Sequence, residues 1–350
     1  MNFVGLDYHT KSSYVSILNE ENEKIWEGQL SSGFELADFL ENLDCAKVLF
    51  EAGYGWPRLA KLLEESEVEL LMCHPEHNRR IARDRRKSDK RDAKNLAVYL
   101  KTDGYKPAYM PSAEVRDERQ LIRGHISLTR RITMIKNQIH SLLAYAGIPK
   151  EGFNIFTRKS RQYVETVELP EYTREILNAN IESLDFHNAL LKRIDELVKK
   201  ANRRDPRARL LKTIPGVGDI TARVILAEIG DITRFPTDKS LACYVGLTQR
   251  QYQSSETRRT MGITKEGSSH MRWVLIQAAW IAIRIDPSLR EFFEKIKAKK
   301  NACVAICAVA RKMTMAVWHI LTEQTPYKAR RPEAKGKPAV TRGKAGVVCS

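Results

Sequence analysis

Asp7, Glu51, Asp89 and Asp92 are placed where a metal-binding cluster could form. Asp7 follows the apolar run Phe3-Val4-Gly5-Leu6, and Glu51 ends the apolar run Val48-Leu49-Phe50. Asp89 and Asp92 lie three apart in Ser88-Asp89-Lys90-Arg91-Asp92-Ala93-Lys94. Ser88 is suited to cap a helix there, and that spacing puts both carboxylates on one helical face. Acids at the ends of adjacent strands, joined by a helical pair, converge and repel one another unless cations lie among them. Oxygen donors of this kind suit Mg²⁺ or Mn²⁺. Two such ions about 4 Å apart activate a nucleophile and stabilise the leaving oxygen in phosphodiester cleavage. Taken singly, each acid also reads as a surface residue or a cap, and Asp89 and Asp92 could simply pair with Lys90 and Arg91. The ordered set carries the expectation.

The elements that must position these acids follow from hydrophobic patterning. Residues 2–6, 12–18 and 24–30 read as three strands, 34–43 as a helix, 47–51 as a strand, 56–65 as a helix and 68–73 as a strand. Three strands followed by helix, strand, helix and strand predict a mixed α/β sheet over a domain of residues 1–110. In residues 113–147, Leu121, Leu128, Ile132, Ile135, Ile139 and Leu142 follow alternating steps of three and four, with His125 filling the gap. A second long helix carries Leu177, Ile181, Leu184, Leu191, Ile194 and Val198. Such seams are those of coiled coils. We read 111–203 as a dimerisation arm, with a helical hairpin inside one chain as the simpler alternative. Residues 204–325 read as a mostly helical domain, and 326–350 as a basic, disordered tail.

Charge points to a polyanionic partner. The 350-residue chain has 59 Lys and Arg against 43 Asp and Glu, a net charge of +16. Each neutralised phosphate releases condensed counterions, so such an excess favours nucleic acid. Arg79, Arg80, Arg83, Arg85 and Arg86 concentrate it in one segment that reads as phosphate-facing. No signal peptide is expected, since Asp7, His9 and Lys11 interrupt any apolar start. The apolar stretch 273–283 is broken by Gln277, too short to span a bilayer, and reads as a buried helix. No membrane is expected. The six scattered cysteines lack paired zinc-ligand spacing and fit structural thiols in a reducing cytoplasm.

The C-terminal domain opens with Ile214-Pro215-Gly216-Val217-Gly218 before a helical run over 220–229, an order that resembles a helix-hairpin-helix. In such hairpins Gly216 and Gly218 would let backbone amides approach a phosphate. The pattern Pro-Gly-x-Gly also occurs as an ordinary turn. Further on come Tyr244-Val245-Gly246-Leu247-Thr248-Gln249-Arg250-Gln251-Tyr252-Gln253-Ser254-Ser255 and Gly262-Ile263-Thr264-Lys265-Glu266-Gly267. Arg250, Arg258, Arg259 and Lys265 are suited to hold a phosphate and stabilise its developing charge.

The start Val4-Gly5-Leu6-Asp7-Tyr8-His9, the step Phe50-Glu51-Ala52-Gly53 and the box Asp89-Lys90-Arg91-Asp92-Ala93 resemble the DEDD, RuvC-like domain of one transposase family. It is the family of the Piv DNA invertase and the bridge-RNA-guided recombinases of bacterial insertion sequences. The resemblance implies a ribonuclease-H-like fold with Asp7, Glu51, Asp89 and Asp92 as the DEDD acids; Asp84 and Asp103 are the alternatives for the third. The C-terminal blocks are similar to that family's transposase domain, whose nucleophile corresponds to Ser254. The family commonly has glycine next; here Ser255 follows, so either serine is open to the role. The resemblance further implies a covalent phosphoserine intermediate, and a composite site assembled across a homodimer or homotetramer. It implies element ends and target as DNA partners, and a guide (bridge) RNA from the element itself. A bacterial, nucleoid-associated cytoplasmic location goes with it. Two other readings compete: a RuvC-type junction nuclease using the acids with water, and a non-catalytic nucleic-acid-binding protein.

Overall fold

The computed structural model describes residues 2–43, 46–74, 88–148, 156–253 and 258–329. The chain divides into two compact units between Ser112 and Ala113. In the first, β1 (Asn2–Asp7), β2 (Ser12–Leu18) and β3 (Lys24–Ser31) form an antiparallel meander. Helix α1 (Phe34–Glu41) carries the chain back to β4 (Ala46–Glu51), and α2 (Trp56–Leu62) to β5 (Glu69–Cys73). Parallel pairing needs such crossovers, and β4 and β5 add in parallel on the other side of β1. The sheet order is β3-β2-β1-β4-β5. Helix α3 (Asp89–Lys101) completes the unit.

Strand alternation sorts the side chains onto two faces. Val4, Leu6, Val48 and Phe50 pack with Leu36, Leu40 and Leu59 of α1 and α2. Phe3 and Leu49 face the other way and pack with Leu96 and Leu100 of α3. By the same parity, Asp7 and Glu51 share the α3 face, each one step beyond the paired residues Leu6 and Phe50.

The second unit is almost all helical. Its long helices α4 (Ala113–Tyr145) and α6 (Glu171–Arg204) flank the short α5 (Arg158–Thr166). Then come α7 (Pro206–Leu211), α8 (Asp219–Ile229), a 3₁₀ turn, α9 (Asp238–Val245), the hairpin of β6 (Gln249–Gln253) and β7 (Arg258–Ile263), α10 (Ser269–Ile285), α11 (Pro287–Lys297) and α12 (Ala302–Glu323). One large core joins α7 to α12, with Leu211, Leu241, Leu275, Ala279, Val309 and Val317 fully buried.

Helices α4 and α6 pack on each other within the chain through Ile132, Ile135, Ile139, Leu143, Leu177 and Leu184. The expected seam is only partly the one used. Leu121, Leu128 and Leu142 are half-buried, while Ile122, Ile126 and Leu143 are buried. The reason is that α4 has two partners: Ile122 and Ile126 pack against Val224, Ala227 and Val274 of α8 and α10. His125 fills its gap by placing Nε2 2.9 Å from Asp195 Oδ1 of α6. The stretch 273–283, expected as a buried helix, is buried on one face only. Val274, Leu275, Ala278, Ala279 and Ala282 are inside, whereas Trp273, Trp280 and Ile281 are exposed. Helix α12 is the one described helix long and apolar enough to cross a membrane. It is instead a core helix, with Ala305, Val309, Met313 and Val317 buried among α9, α10 and α11. The described cysteines Cys73, Cys243, Cys303 and Cys307 are free thiols.

Candidate metal centre and nucleic-acid interface

Helix α3 lies directly on β1 because β1 has no side chain at Gly5. A Cβ there would meet Ala93 O at 2.0 Å and Ala97 N at 2.3 Å, both helix backbone. The small residues Ala93 and Ala97, both fully buried, allow this approach from the helix side. Both ends of the helix are fixed. Ser88 caps the start, its hydroxyl accepting from Arg91 N at 3.4 Å. Lys90 Nζ donates to Glu27 Oε2 of β3 at 2.7 Å. At the far end Lys101 Nζ donates to Asn22 Oδ1 at 2.8 Å. The ammonium of Lys90 is thus engaged across the sheet. Its hydrogen bond holds the Glu27 carboxyl below the usual range, against the opposing effect of burial.

This placement brings the first turn of α3 to the end of β1. Asp7, Asp89 and His9 each offer a ligand atom, and these atoms lie within 4.8 Å of one another. His9 Nε2 stands 3.5 Å from Asp7 Oδ2, with Asp7 only 15% exposed and His9 57%. Asp89 and Asp92 occupy the first helical turn, where the helix dipole stabilises negative charge. Asp92 and Glu51 do not join the group of three among the described residues. Asp92 lies three residues after Asp89 in the same first turn of α3, and Glu51 ends the neighbouring strand on the same face. Asp103 lies beyond the opposite end of α3, next to its cap Thr102; Asp84 lies outside the described residues. Two carboxylates and an imidazole form a donor set suited to a divalent cation. His9 was not singled out from the sequence, because it lies past the end of β1, in the turn to β2, where strand alternation gives no signal.

In the second unit, Gly216 is held at φ +83°, and a Cβ on it would strike Ala278 O of α10 at 2.3 Å. The close packing of the turn on that helix requires glycine here. Gly218 is exposed and faces open space immediately before α8, so the amides at that end are reachable. The β6–β7 hairpin is rooted tightly. Gly246 closes α9 against Glu266 O, Gly267 closes against Tyr244 O, and Arg272 Nη1 donates to Val245 O at 2.9 Å. Arg250 on β6 and Lys265 just after β7 are exposed; Arg258 and Arg259 lie on β7. Ser254 and Ser255, the arginines Arg79, Arg80, Arg83, Arg85 and Arg86, and the tail from 330 lie outside the described residues.

Comparison with known proteins matches both units. A model of the DEDD transposases of IS110, described as transposase, matches residues 4–147. A model described as the transposase IS116/IS110/IS902 family matches residues 208–294. The transposase for insertion sequence element IS1328 of Yersinia enterocolitica is 22% identical, over 93% of this chain and 98% of that protein. A probable family 20 transposase of Pseudomonas aeruginosa is 25% identical over 93% and 98%. The pilin gene-inverting protein of Moraxella bovis is 25% identical over 83% and 84%. With both domain types present in order and relatives aligned along nearly their whole length, the chain belongs to the IS110/IS116 family of DEDD transposases.

Proposed function

We propose that this transposase breaks and rejoins DNA through its N-terminal carboxylates and a C-terminal serine. The observation that carries the reading is the convergence of Asp7 and Asp89, from distant positions in the sequence, with His9 beside them. The strand order and the mixed pairing of the first sheet support a ribonuclease-H-like, RuvC-like fold. Asp7, Glu51, Asp89 and Asp92 would hold Mg²⁺ or Mn²⁺, with His9 as a further donor. A divalent ion there supplies Lewis-acid polarisation of the scissile phosphate.

Ser254, or its neighbour Ser255, attacks phosphorus. The Oγ–P bond forms, the bond from phosphorus to the departing sugar oxygen breaks, and the hydroxyl proton passes to that oxygen. A strand hydroxyl then attacks the phosphoserine linkage, restoring a phosphodiester and returning a proton to the serine. Arg250, Arg258, Arg259 and Lys265 hold the phosphate and offset the charge that develops on it. A second protomer brings its serine to the carboxylates of the first, in a homodimer or homotetramer. A guide RNA from the element pairs with donor and target DNA, and Arg79 to Arg86 contact its backbone or that of the DNA. The work is done in the cytoplasm, at the nucleoid.

The test incubates the protein with Mg²⁺, element ends, target DNA and RNA transcribed from the element's flanks, and looks for a covalent protein–DNA adduct on a denaturing gel. An adduct lost with Asp7→Ala and Ser254→Ala but kept with Ser255→Ala supports the reading and names the nucleophile. Cut DNA without adduct, surviving both serine variants, favours the junction nuclease. Nucleic-acid binding that needs no carboxylate, with no cutting, favours a binding protein.

A further inference from the structure

The run from Lys199 to Lys212 holds Lys199, Lys200, Arg203, Arg204, Arg207, Arg209 and Lys212 against the single acid Asp205. It passes from the last turns of α6 through α7, and the burial of Ala208 and Leu211 in the core turns its cations outward. Lys199, Arg203, Arg209 and Lys212 line one cleft of about 400 Å³, together with Asn202 and Asp219.

The acids nearby are used internally. The Asp205 carboxylate accepts from Arg207 Nε and Nη2 at 3.0 and 2.9 Å, and from Arg223 Nη2 at 3.0 Å. Arg223 is 1% exposed and also donates to Asn202 Oδ1 and Glu118 Oε1. Asp219 accepts from Lys212 at 2.7 Å and from Asn202 at 3.1 Å. Lys199 reaches back to Glu196 at 2.8 Å, an exposed pair of little strength. Arg203 and Arg209 make no close ion pair among the described residues, and Arg203 acts on Glu196 only at longer range. The cleft thus presents four cations and one carboxylate, itself already paired. The amides that open α8 at Gly218 lie beside Asp219 and add to the positive field.

We propose that this cleft, built within the second unit from residues 199–219, docks the phosphodiester backbone of a nucleic acid. It rests on the transposase reading only in requiring a nucleic-acid partner. Two guanidinium forks match phosphate oxygens bidentately, and two ammonium groups add point charge. None of the lining side chains is aromatic or aliphatic, so the cleft offers neither an aromatic stacking platform nor an apolar pocket. Such a site positions the backbone and does not read sequence.

The test measures binding of the full chain to a random-sequence DNA duplex and to an RNA hairpin by fluorescence anisotropy across a salt series. The variant combines Lys199→Gln, Arg203→Gln and Arg209→Gln, leaving Lys212 to Asp219. A control of equal charge change combines Lys295→Gln, Lys299→Gln and Lys300→Gln. Each phosphate contact contributes about 0.9 to the slope of log K against log salt, so the cleft variant is expected to lower that slope by roughly two to three. The control lowers it by less than about one. The ligand whose slope falls is the cleft's occupant, DNA or RNA. Substituting Lys199→Arg, Arg203→Lys and Arg209→Lys restores most of the slope. Should the triple variant melt below the wild type, Arg203→Gln alone carries the test, with an expected fall of about one. An unchanged slope for both ligands, or an equal fall in the control, overturns the cleft while leaving the transposase reading intact. Failure of the wild type to bind either ligand at low salt overturns both.

Discussion

Gly5→Ala tests how the proposed metal centre is positioned, because it adds one methyl group at a residue that offers no ligand atom. The new Cβ would lie 2.0 Å from Ala93 O and 2.3 Å from Ala97 N, and 3.0 Å from Leu96 C. All three are helix backbone, so no rotamer change relieves the contact. Ordinary carbon contacts are about 3.5 Å, so α3 must retreat by roughly 1 Å or more. Ligand atoms of Asp7, His9 and Asp89 lie within 4.8 Å of one another, with His9 Nε2 3.5 Å from Asp7 Oδ2. Oxygens on one Mg²⁺ at about 2.1 Å each cannot be more than about 4.2 Å apart, so a retreat of α3 carries Asp89 out of reach.

The expected result is a fall in Mn²⁺ affinity of about tenfold or more by titration calorimetry, and a loss of strand transfer on the order of a hundredfold. Overpacking costs about 1–3 kcal/mol, which a melting curve of the metal-free protein measures separately. Ala93→Gly does not rescue the variant, since the obstacle is the carbonyl oxygen and not the methyl. A Gly5→Ala protein that binds Mn²⁺ as the wild type does would refute the dependence of the centre on this helix–strand contact.

His9→Ala is expected to weaken Mn²⁺ more than Mg²⁺, because imidazole suits the softer ion better; equal effects on both, measured in parallel titrations, would remove His9 from the ligand set. Lys90→Met frees the first turn of α3 from Glu27 and should weaken Mn²⁺ binding by less than Gly5→Ala does. The same variant has a pH signature. Glu27 has a lowered pKa in the fold, so its pairing stabilises fully above the ordinary carboxylate range and is lost as pH falls through the folded value. Melting temperature against pH should therefore show a shallower acid limb in Lys90→Met, and an unchanged limb would refute the tie. Arg223→Leu removes the centre of a buried network of Asn202, Glu118 and Asp205; it is expected to cost about 3 kcal/mol, or roughly 6–12 °C in the melting of the second unit, and a shift of a degree or less would contradict that role.

The first unit was legible because its strands obey simple rules. Apolar runs ending in an acid gave β1 and β4, and parity then placed Asp7 and Glu51 on the same side as Gly5 and Leu49. The start of α3 was readable from its cap at Ser88. The closeness of that helix was not, since it depends on Gly5 facing Ala93 and Ala97 across residues with no sequence relation. The β6–β7 hairpin escaped for the opposite reason: Gln249-Arg250-Gln251-Tyr252-Gln253 has no apolar alternation to mark a strand. The seam of α4 was misplaced because a heptad pattern assumes one partner helix. This helix serves α6 along one half and α8 with α10 along the other, which shifts burial in that second half from Leu121 and Leu128 to Ile122 and Ile126.

Charge shows most clearly why composition alone falls short. The run 199–212 is as visibly basic as the arginine segment 79–86, and either could be a solvated helix face. What distinguishes it is where the neighbouring acids go. Asp205 caps α7 and is held by Arg207 and the buried Arg223, so its pKa stays low although burial opposes its charge. Asp219 is held below its usual range first by Lys212. Both carboxylates therefore remain ionised and committed inside the unit at neutral pH. They fix the geometry of α6, α7 and α8 without cancelling Arg203 and Arg209 at the mouth. A buried arginine that consumes an acid thus leaves surface arginines uncompensated, and the fold converts a modest local charge excess into a directed site for phosphate.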